Sequence, residues 1–409
     1  MNTVPVKPVA ERTERLFSID ALRGIVMILM ALDHVRDYFG AQLNPTDIAT
    51  TTPALFLTRW ITHFCAPIFI LLAGMAAWLY ASKGRSKAQV AHFLWTRGLW
   101  LIVLELTVIN FGWLHSFDAL IWQVIGAIGA AMIALSALVF LPQVAILCIG
   151  LVIVLGHNLL DPIELSDFDS FAPWWRLLHE GITPNFGLET VAGVPIMVIY
   201  PLIPWIGVIA IGYGLGPVMK LERRVRIRIL LLIGTLSLLA FFALRAFKGY
   251  GNPTPFDPEF EGARLWFSFL NCTKYPPSLA YLLMTLGPAF IALALLDRKP
   301  SKLTSVCITF GSVPLFFYLM HLHLIHASSR VFHWFLYSDP ASIVRSNFSW
   351  LPRAGYPDAS FDPLPAEFTG LPITGVWMVW ILIVLLLYPC CVWYRRIKSG
   401  SQSKWFSYL

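Results

Sequence analysis

The chain has 409 residues, of which 57% are hydrophobic and 13% charged, and its mean hydropathy is +0.68. That composition excludes a soluble globular domain and a disordered chain, and it identifies a polytopic membrane protein. The net charge of +7 traces to basic loops between apolar spans, so no nucleic-acid partner is expected.

A window near bilayer length finds about ten apolar spans, at 17–39, 58–81, 90–112, 119–140, 143–157, 194–217, 228–248, 276–296, 306–328 and 373–396. The expected fold class is therefore an all-α, polytopic bundle of about ten transmembrane helices in a lipid bilayer. Residues 17–396 form the transmembrane domain, with tails at 1–16 and 397–409.

Basic residues set the orientation. Lys7, Arg12 and Arg15 precede the first span, Lys83, Arg85 and Lys87 follow the second, and Lys220, Arg223, Arg224, Arg226 and Arg228 follow the sixth. Arg298, Lys299, Lys302, Arg395, Arg396, Lys398 and Lys404 fall on the same side, whereas 41–57 and 113–118 carry no Lys or Arg. Both termini are expected to be cytoplasmic, with the longer loops at 158–193, 249–275 and 329–372 outside. Asp20 and Arg23 interrupt the first apolar run, and no small-residue cleavage pattern follows, so it reads as a span and not as a signal peptide.

The first span is more than an anchor. It carries Asp20, Arg23, Asp33 and His34, and ionisable groups at membrane depth are costly unless they work. At about 100° per residue, eleven steps return His34 to within roughly 20° of Arg23, about 16 Å further along the same face. Arg59 and His63 fall in the outer turns of the second span, Lys274 and Tyr275 just before the eighth, and His321, His323 and His326 in the outer turns of the ninth. His321 and His323 lie about 200° apart, so at most one of them faces a cavity shared with His34, and His321 is preferred. Taken singly, each histidine reads as an interfacial or hydrogen-bonded structural residue; their convergence at one depth is the argument for a site.

The six cysteines give no disulfide framework, since five fall in spans and only Cys272 lies in an outer loop. No Cys/His spacing suits zinc, and no metal is expected. The oligomeric state is open, a homo-oligomer included. The loop at 329–372, with Trp350 and Tyr356, reads equally as a sugar-facing cap or a plain connector.

Several motifs carry a family resemblance. Ser18-Ile19-Asp20-Ala21-Leu22-Arg23-Gly24, Leu32-Asp33-His34, Thr62-His63-Phe64-Cys65-Ala66-Pro67 leading to Gly74, Tyr200-Pro201-Leu202-Ile203-Pro204-Trp205-Ile206-Gly207, Asn271-Cys272-Thr273-Lys274-Tyr275-Pro276-Pro277-Ser278-Leu279 and Pro314-Leu315-Phe316-Phe317-Tyr318-Leu319-Met320-His321 resemble bacterial members of the heparan-alpha-glucosaminide N-acetyltransferase catalytic-domain family. The resemblance covers about residues 15–330. Arg23 and His34 also resemble the Arg/His pattern of the broader transmembrane acyltransferases.

The resemblance implies an enzyme of a bacterial inner membrane that takes an acyl group, acetyl or another, from cytoplasmic acyl-coenzyme A to a sugar or glycan on the far side. On that reading His34 is the general base, with His321 second and His63 third; Asp33 is a candidate to orient it but stands about 100° round the helix, so a partner from another span, such as His63 or Lys274, is the alternative. Lys274, Tyr275 and Arg59 bind substrate, the first two as donors to a thioester oxyanion. Arg23, with Asp20, meets the donor's phosphates. The family's lysosomal branch departs here, carrying its essential His in the segment after the first span, whereas this chain has no His between 35 and 62. Either His34 or His63 takes that role or the reaction differs from heparan-sulfate acetylation, and the acceptor is expected to be a cell-envelope glycan.

Plainer readings stand beside these. Lys274-Tyr275-Pro276-Pro277 suits an interfacial anchor before a Pro-initiated helix, and Arg23 can simply neutralise Asp20 three residues back. A proton-coupled secondary transporter of a small solute would also bury ionisable groups in such a bundle.

Overall fold

The first apolar run, with Asp20, Arg23, Asp33, Arg36 and Asp37 inside it, folds as one helix, α1 (Phe17–Phe39). The computed structural model describes residues 16–41, 44–117, 119–164, 167–168, 170–180, 189–191, 194–336 and 370–401. The basic residues Lys7, Arg12, Arg15, Arg345, Arg353 and Lys404, and the aromatic candidates Trp350 and Tyr356, lie outside the described residues.

After α1 come α2 (Pro53–Thr62) and α3 (Cys65–Ala81), which together make one span, Pro53–Ala81. Thr52 caps α2 by accepting from the Leu55 amide at 3.3 Å, with Pro53 in the first turn where its missing N–H costs nothing. Helix α4 (Lys87–Leu104) starts on a Ser86/Gln89 capping box and runs through a π-helical turn at Glu105–Ile109 into α5 (Asn110–Leu114). Strand β1 (Leu120–Trp122), α6 (Val124–Leu138), α7 (Gln143–Gly156) and the short α8 (Ala172–Trp175) follow. Strands β2 (Glu189–Val191) and β3 (Val194–Val198) precede α9 (Leu202–Gly214). The chain ends with α10 (Arg223–Phe247), α11 (Gly262–Leu270), α12 (Leu279–Leu296), α13 (Lys302–Gly311), α14 (Pro314–Leu336) and α15 (Ile373–Gly400).

The result is the all-α polytopic bundle expected from composition, with two revisions. Among the described residues, seven segments are long and apolar enough to cross a membrane, and the α13/α14 pair, bent by 85°, makes eight if it is one span, against about ten expected. The other two expected spans are α1, too heavily charged to face lipid, and α6, only 15 residues long. Helix α1 keeps its charges because α2, α3, α12, α13, α14 and α15 sheathe it. The second revision concerns 119–140 and 194–217, whose first residues are strands. β3 is central, pairing in parallel with β1 (Leu120↔Ile196) and antiparallel with β2 (Glu189↔Ile196). The alternating Val194, Ile196 and Val198 suit a strand better than a helix turn.

Helices approach closely where glycines face one another, as membrane packing requires. A Cβ on Gly24 would collide with the Cys307 carbonyl, and one on Gly311 with the Asp20 carbonyl, so α1 and α13 cross backbone to backbone. Basic ends gather at one end of the bundle. There Lys220 donates to the Ser82 carbonyl at 3.2 Å, Arg223 to the Asp297 carbonyl at 2.7 Å, and Arg395 to the Thr309 hydroxyl at 3.0 Å.

Candidate active site

The site lies at the end of α1 away from these basic contacts. His34 in the last turns of α1 meets His321 of α14, with Nδ1 of the first 2.8 Å from Nε2 of the second. His321 is fully buried and His34 nearly so. The Phe317 carbonyl lies 3.0 Å from His321 Nδ1, and a carbonyl only accepts, so that nitrogen carries the proton of the neutral ring. His321 Nε2 is then a lone pair, His34 Nδ1–H donates to it, and His34 Nε2 presents the lone pair of a base. Trp113 packs edge-on against the His34 ring with centroids 4.7 Å apart. Among the described residues, His34 Nε2 has no hydrogen-bond partner.

Asp33 does not orient this imidazole. Being about 100° round the helix from His34, it faces α2, where Arg59 Nη1 reaches its two oxygens at 2.9 and 2.6 Å. Arg36 adds a contact at 2.9 Å and also binds Asp37 at 2.6 Å. With two guanidinium groups on it, Asp33 serves as their counter-ion, and His321 is the side chain that hydrogen-bonds the His34 ring. Arg36 and Asp37 were not singled out in the sequence, although an (i, i+3) Asp/Arg spacing in a span is a readable signal.

His63 sits at the α2/α3 junction and does not touch His34. Its carbonyl accepts from the Tyr281 hydroxyl at 2.7 Å, its ring centroid lies 5.7 Å from that of Tyr281, and among the described residues its Nδ1 has no hydrogen-bond partner. Of the α14 histidines, only His321 reaches His34. His323 bonds back to the Leu319 carbonyl at 2.8 Å; His326 donates to the Gly112 carbonyl at 2.9 Å and stacks on His115 with centroids 3.5 Å apart.

Lys274 and Tyr275 reach the same region from the segment between α11 and α12. The Lys274 ammonium lies 5.1 Å from the centre of the Tyr275 ring and within electrostatic reach of Asp33, His34 and His63. Burial pushes the Tyr275 phenol up, but Lys274 and Arg59 beside it together outweigh burial and hold it below the ordinary tyrosine value. Tyr200, just after β3, stands edge-on to Tyr275 at 5.4 Å, and its carbonyl accepts from the Trp122 indole at 3.1 Å. The small sheet thus fixes one wall of the site.

The segment carrying Lys274 is tied at both ends. Asn252 Oδ1 accepts from the Thr273 amide at 2.9 Å and from the Ser278 hydroxyl at 2.8 Å, and Asn158 Oδ1 accepts from the Leu279 amide at 2.9 Å. His157 Nε2 lies 2.7 Å from the Pro277 carbonyl.

At the opposite end of α1, Arg23 donates to Asp20 at 3.2 Å and to the Gly311 carbonyl at 3.1 Å. Lys398 of α15 lies within electrostatic reach of Arg23, Arg97 and Asp20. Arg97 therefore joins Arg23 and Lys398 in this cationic group. Among the described residues, no group of three or more His, Cys, Asp or Glu side chains is placed to hold a metal ion.

A family model described as heparan-alpha-glucosaminide N-acetyltransferase, catalytic, matches the chain over residues 15–246. That range is shorter than the resemblance traced by motif, so it contains Asp20, Arg23, Asp33, His34, Arg59 and His63 but not Lys274, Tyr275 or His321. No curated protein matches the chain. The match spans more than half of the sequence, and the chain belongs to the heparan-alpha-glucosaminide N-acetyltransferase catalytic family, an integral membrane protein of acetyltransferase type.

Proposed function

We propose that this protein moves an acyl group, acetyl in the simplest case, from cytoplasmic acyl-coenzyme A to a sugar on the outer face of a bacterial inner membrane. The observation that carries the reading is the His34–His321 pair at 2.8 Å, set at the end of α1 opposite to the cationic group of Arg23. Both termini and the basic loops face the cytoplasm in this reading.

Arg23, with Arg97 and Lys398 near it, meets the donor's phosphates, and Asp20 holds the Arg23 guanidinium in place. The donor's flexible arm extends along α1 towards His34. His34 Nε2 takes the proton from the acceptor amine or hydroxyl as that group attacks the thioester carbon. The C–S bond breaks, the coenzyme leaves as a thiolate, and the proton held by His34 is returned to it or lost to water. Lys274 and the Tyr275 hydroxyl supply donors for the developing oxyanion. His321 accepts the His34 Nδ1 proton and keeps the ring in the basic tautomer. His63, without contact to His34, is a weaker candidate base.

A test supplies purified protein with labelled acetyl-coenzyme A and envelope sugars, wild type beside His34→Ala. Label appearing on a sugar with wild type alone supports the reading. Folded wild type that neither binds acyl-coenzyme A nor transfers label would replace it with the second reading, a proton-coupled transporter. That alternative draws on the 85° break between α13 and α14, since broken helices mark transport sites.

A further inference from the structure

Glu105 is a fully buried carboxyl group that opens the π-helical turn Glu105–Ile109 between α4 and α5. Such turns widen a helix and recur at functional sites. Its Oε2 accepts from the Gly126 amide at 2.6 Å, with the Ile125 amide beside it. Both amides belong to the first turn of α6, whose own N-cap residue, Gln123, makes no side-chain capping bond. Capping of α6 thus explains one carboxyl oxygen. The other, Oε1, is buried and has no hydrogen-bond partner among the described residues.

The helices and strand packed on this turn bring no cation to the carboxyl. Helices α5 and α6 and strand β1 carry no titratable side chain, and α14 contributes Tyr318. On α4 itself, Lys87, His92 and Arg97 stand roughly two turns or more back towards its start. The α6 amides favour a negative charge on Glu105, whereas full burial without a cation opposes it. A carboxyl held between those two influences can both keep a proton and give it up.

Tyr318 links this carboxyl to the base. Its ring stands edge-on to His34 with centroids 6.3 Å apart, and edge-on to His321 at 5.3 Å. Its hydroxyl lies within electrostatic reach of Glu105 with the Trp113 indole beside it, and among the described residues no acceptor takes its proton. Tyr318 precedes His321 by three residues on α14, roughly one turn nearer the basic end of the bundle. Glu105 precedes Trp113, which packs on His34, by eight residues. Phenol and carboxyl therefore lie on the donor's side of the base, where the coenzyme must leave.

We propose that Glu105, acting through the Tyr318 hydroxyl, supplies the proton that the departing coenzyme thiolate takes up. This rests on the acyltransferase reading and completes its proton balance. As the acceptor attacks, its proton passes to His34 Nε2, and the electron pair of the breaking C–S bond goes to sulfur. The Tyr318 hydroxyl gives its proton to that thiolate and takes the proton of Glu105, leaving a carboxylate held by the α6 amides. The imidazolium proton of His34 then returns through the same hydroxyl to Glu105. One proton has moved from acceptor to thiol, and His34, Tyr318 and Glu105 end as they began.

The test follows release of free coenzyme thiol from acetyl-coenzyme A, with glucosamine and N-acetylglucosamine as acceptors, across pH for full-length wild type, Glu105→Gln and Tyr318→Phe. Equilibrium binding of acetyl-coenzyme A is measured beside it. Wild-type kcat should rise with pH as His34 loses its proton and fall again as Glu105 loses its own. Glu105→Gln keeps an oxygen for the Gly126 amide, so its size-exclusion profile and its Kd for acetyl-coenzyme A should match wild type. Its kcat should drop about a hundredfold, the lower range of acid–base catalysis, and the alkaline fall should vanish. Tyr318→Phe lacks only the hydroxyl and should show the same two changes, which decides the matter if the Gln variant does not fold. A Gln variant with wild-type kcat and an unchanged pH profile overturns the proposal and leaves Glu105 as a cap of α6. A slowed variant that keeps the alkaline fall overturns it too, as does a weaker Kd for acetyl-coenzyme A at wild-type kcat. Wild type that releases no thiol sinks the acyltransferase reading and this inference with it, whereas thiol release by wild type and both variants alike sinks this inference alone.

Discussion

His321 accepts the Nδ1 proton of His34 across 2.8 Å, and the Phe317 carbonyl 3.0 Å away fixes which nitrogen of His321 can do so. A backbone carbonyl on one helix thereby determines the tautomer of an imidazole on another. His321 is a positioning residue in this arrangement, with no contact of its own to the reacting atoms. Its replacement by Leu should lower kcat about a hundredfold, the lower range of what acid–base catalysis contributes, while the KM values for both substrates stay near wild type. His321→Asn, which keeps an acceptor, should recover part of kcat; a Leu variant with a lower affinity for acyl-coenzyme A and normal kcat would refute the role.

Loss of His34, the proposed base, should have a larger effect. His34→Ala should cut acyl transfer about 10³-fold or more, yet leave acyl-coenzyme A binding intact, since Arg23 and Lys398 lie at the far end of α1 and its neighbours. Binding measured by equilibrium dialysis beside transfer separates the two. Wild-type turnover by His34→Ala would move the base to His63.

The histidine pairing was within reach of sequence reasoning, because helical spacing allows only one of His321 and His323 to face His34. The same spacing placed Asp33 away from His34 but did not say where it goes. Its partners come from Arg59, 26 residues on, and from Arg36 on its own helix, and a contact between helices is invisible to a hydropathy window. For the same reason α1 passed as a membrane span, although the helices wrapped around it are what make its charges tolerable. The strands at Leu120–Trp122 and Val194–Val198 were missed because an apolar run of a few residues reads alike as a strand or as the start of a helix. Lys274 was singled out, but its place beside Tyr275 and within electrostatic reach of Asp33 comes only from the folded chain.

The Asp33 cluster carries a stability prediction. Asp33→Asn leaves Arg59 and part of Arg36 buried without a counter-charge, at a cost of about 3–5 kcal/mol. Thermal unfolding in detergent should show a clear fall in midpoint. Adding Arg59→Gln should recover part of the loss, because the two residues share one interaction. Additive losses in the double variant would mean that the pair contributes nothing as a pair.

The α1/α13 crossing makes a sharper one. Gly24→Val and Gly311→Val each drive a side chain into the backbone of the facing helix, and neither neighbour can give way as a flexible side chain would. Monodisperse protein should not be recovered from either. Gly156→Ala, where a Cβ meets nothing within 4 Å, should behave as wild type. Normal yields of the Gly24 and Gly311 variants would refute the close crossing and with it the placement of Arg23 against Gly311.

Asn252 links fold to function at the Lys274 segment. Its side-chain oxygen takes two donors, the Thr273 amide and the Ser278 hydroxyl, so Asn252→Ala strands both at a cost of about 1–3 kcal/mol. That cost falls on the segment holding Lys274 and Tyr275 and not on the helices around His34. The expected variant is folded, with a raised KM for the acceptor, a smaller change in kcat and an unchanged KM for acyl-coenzyme A. Asn252→Asp keeps the accepting oxygen but loses the donor that the amide gives the Thr254 carbonyl, and should fall between Asn252→Ala and wild type. A purely structural Asn252 would instead lower the unfolding midpoint and leave the acceptor KM where it was, because the Lys274 ammonium would still stand at the same distance from His34.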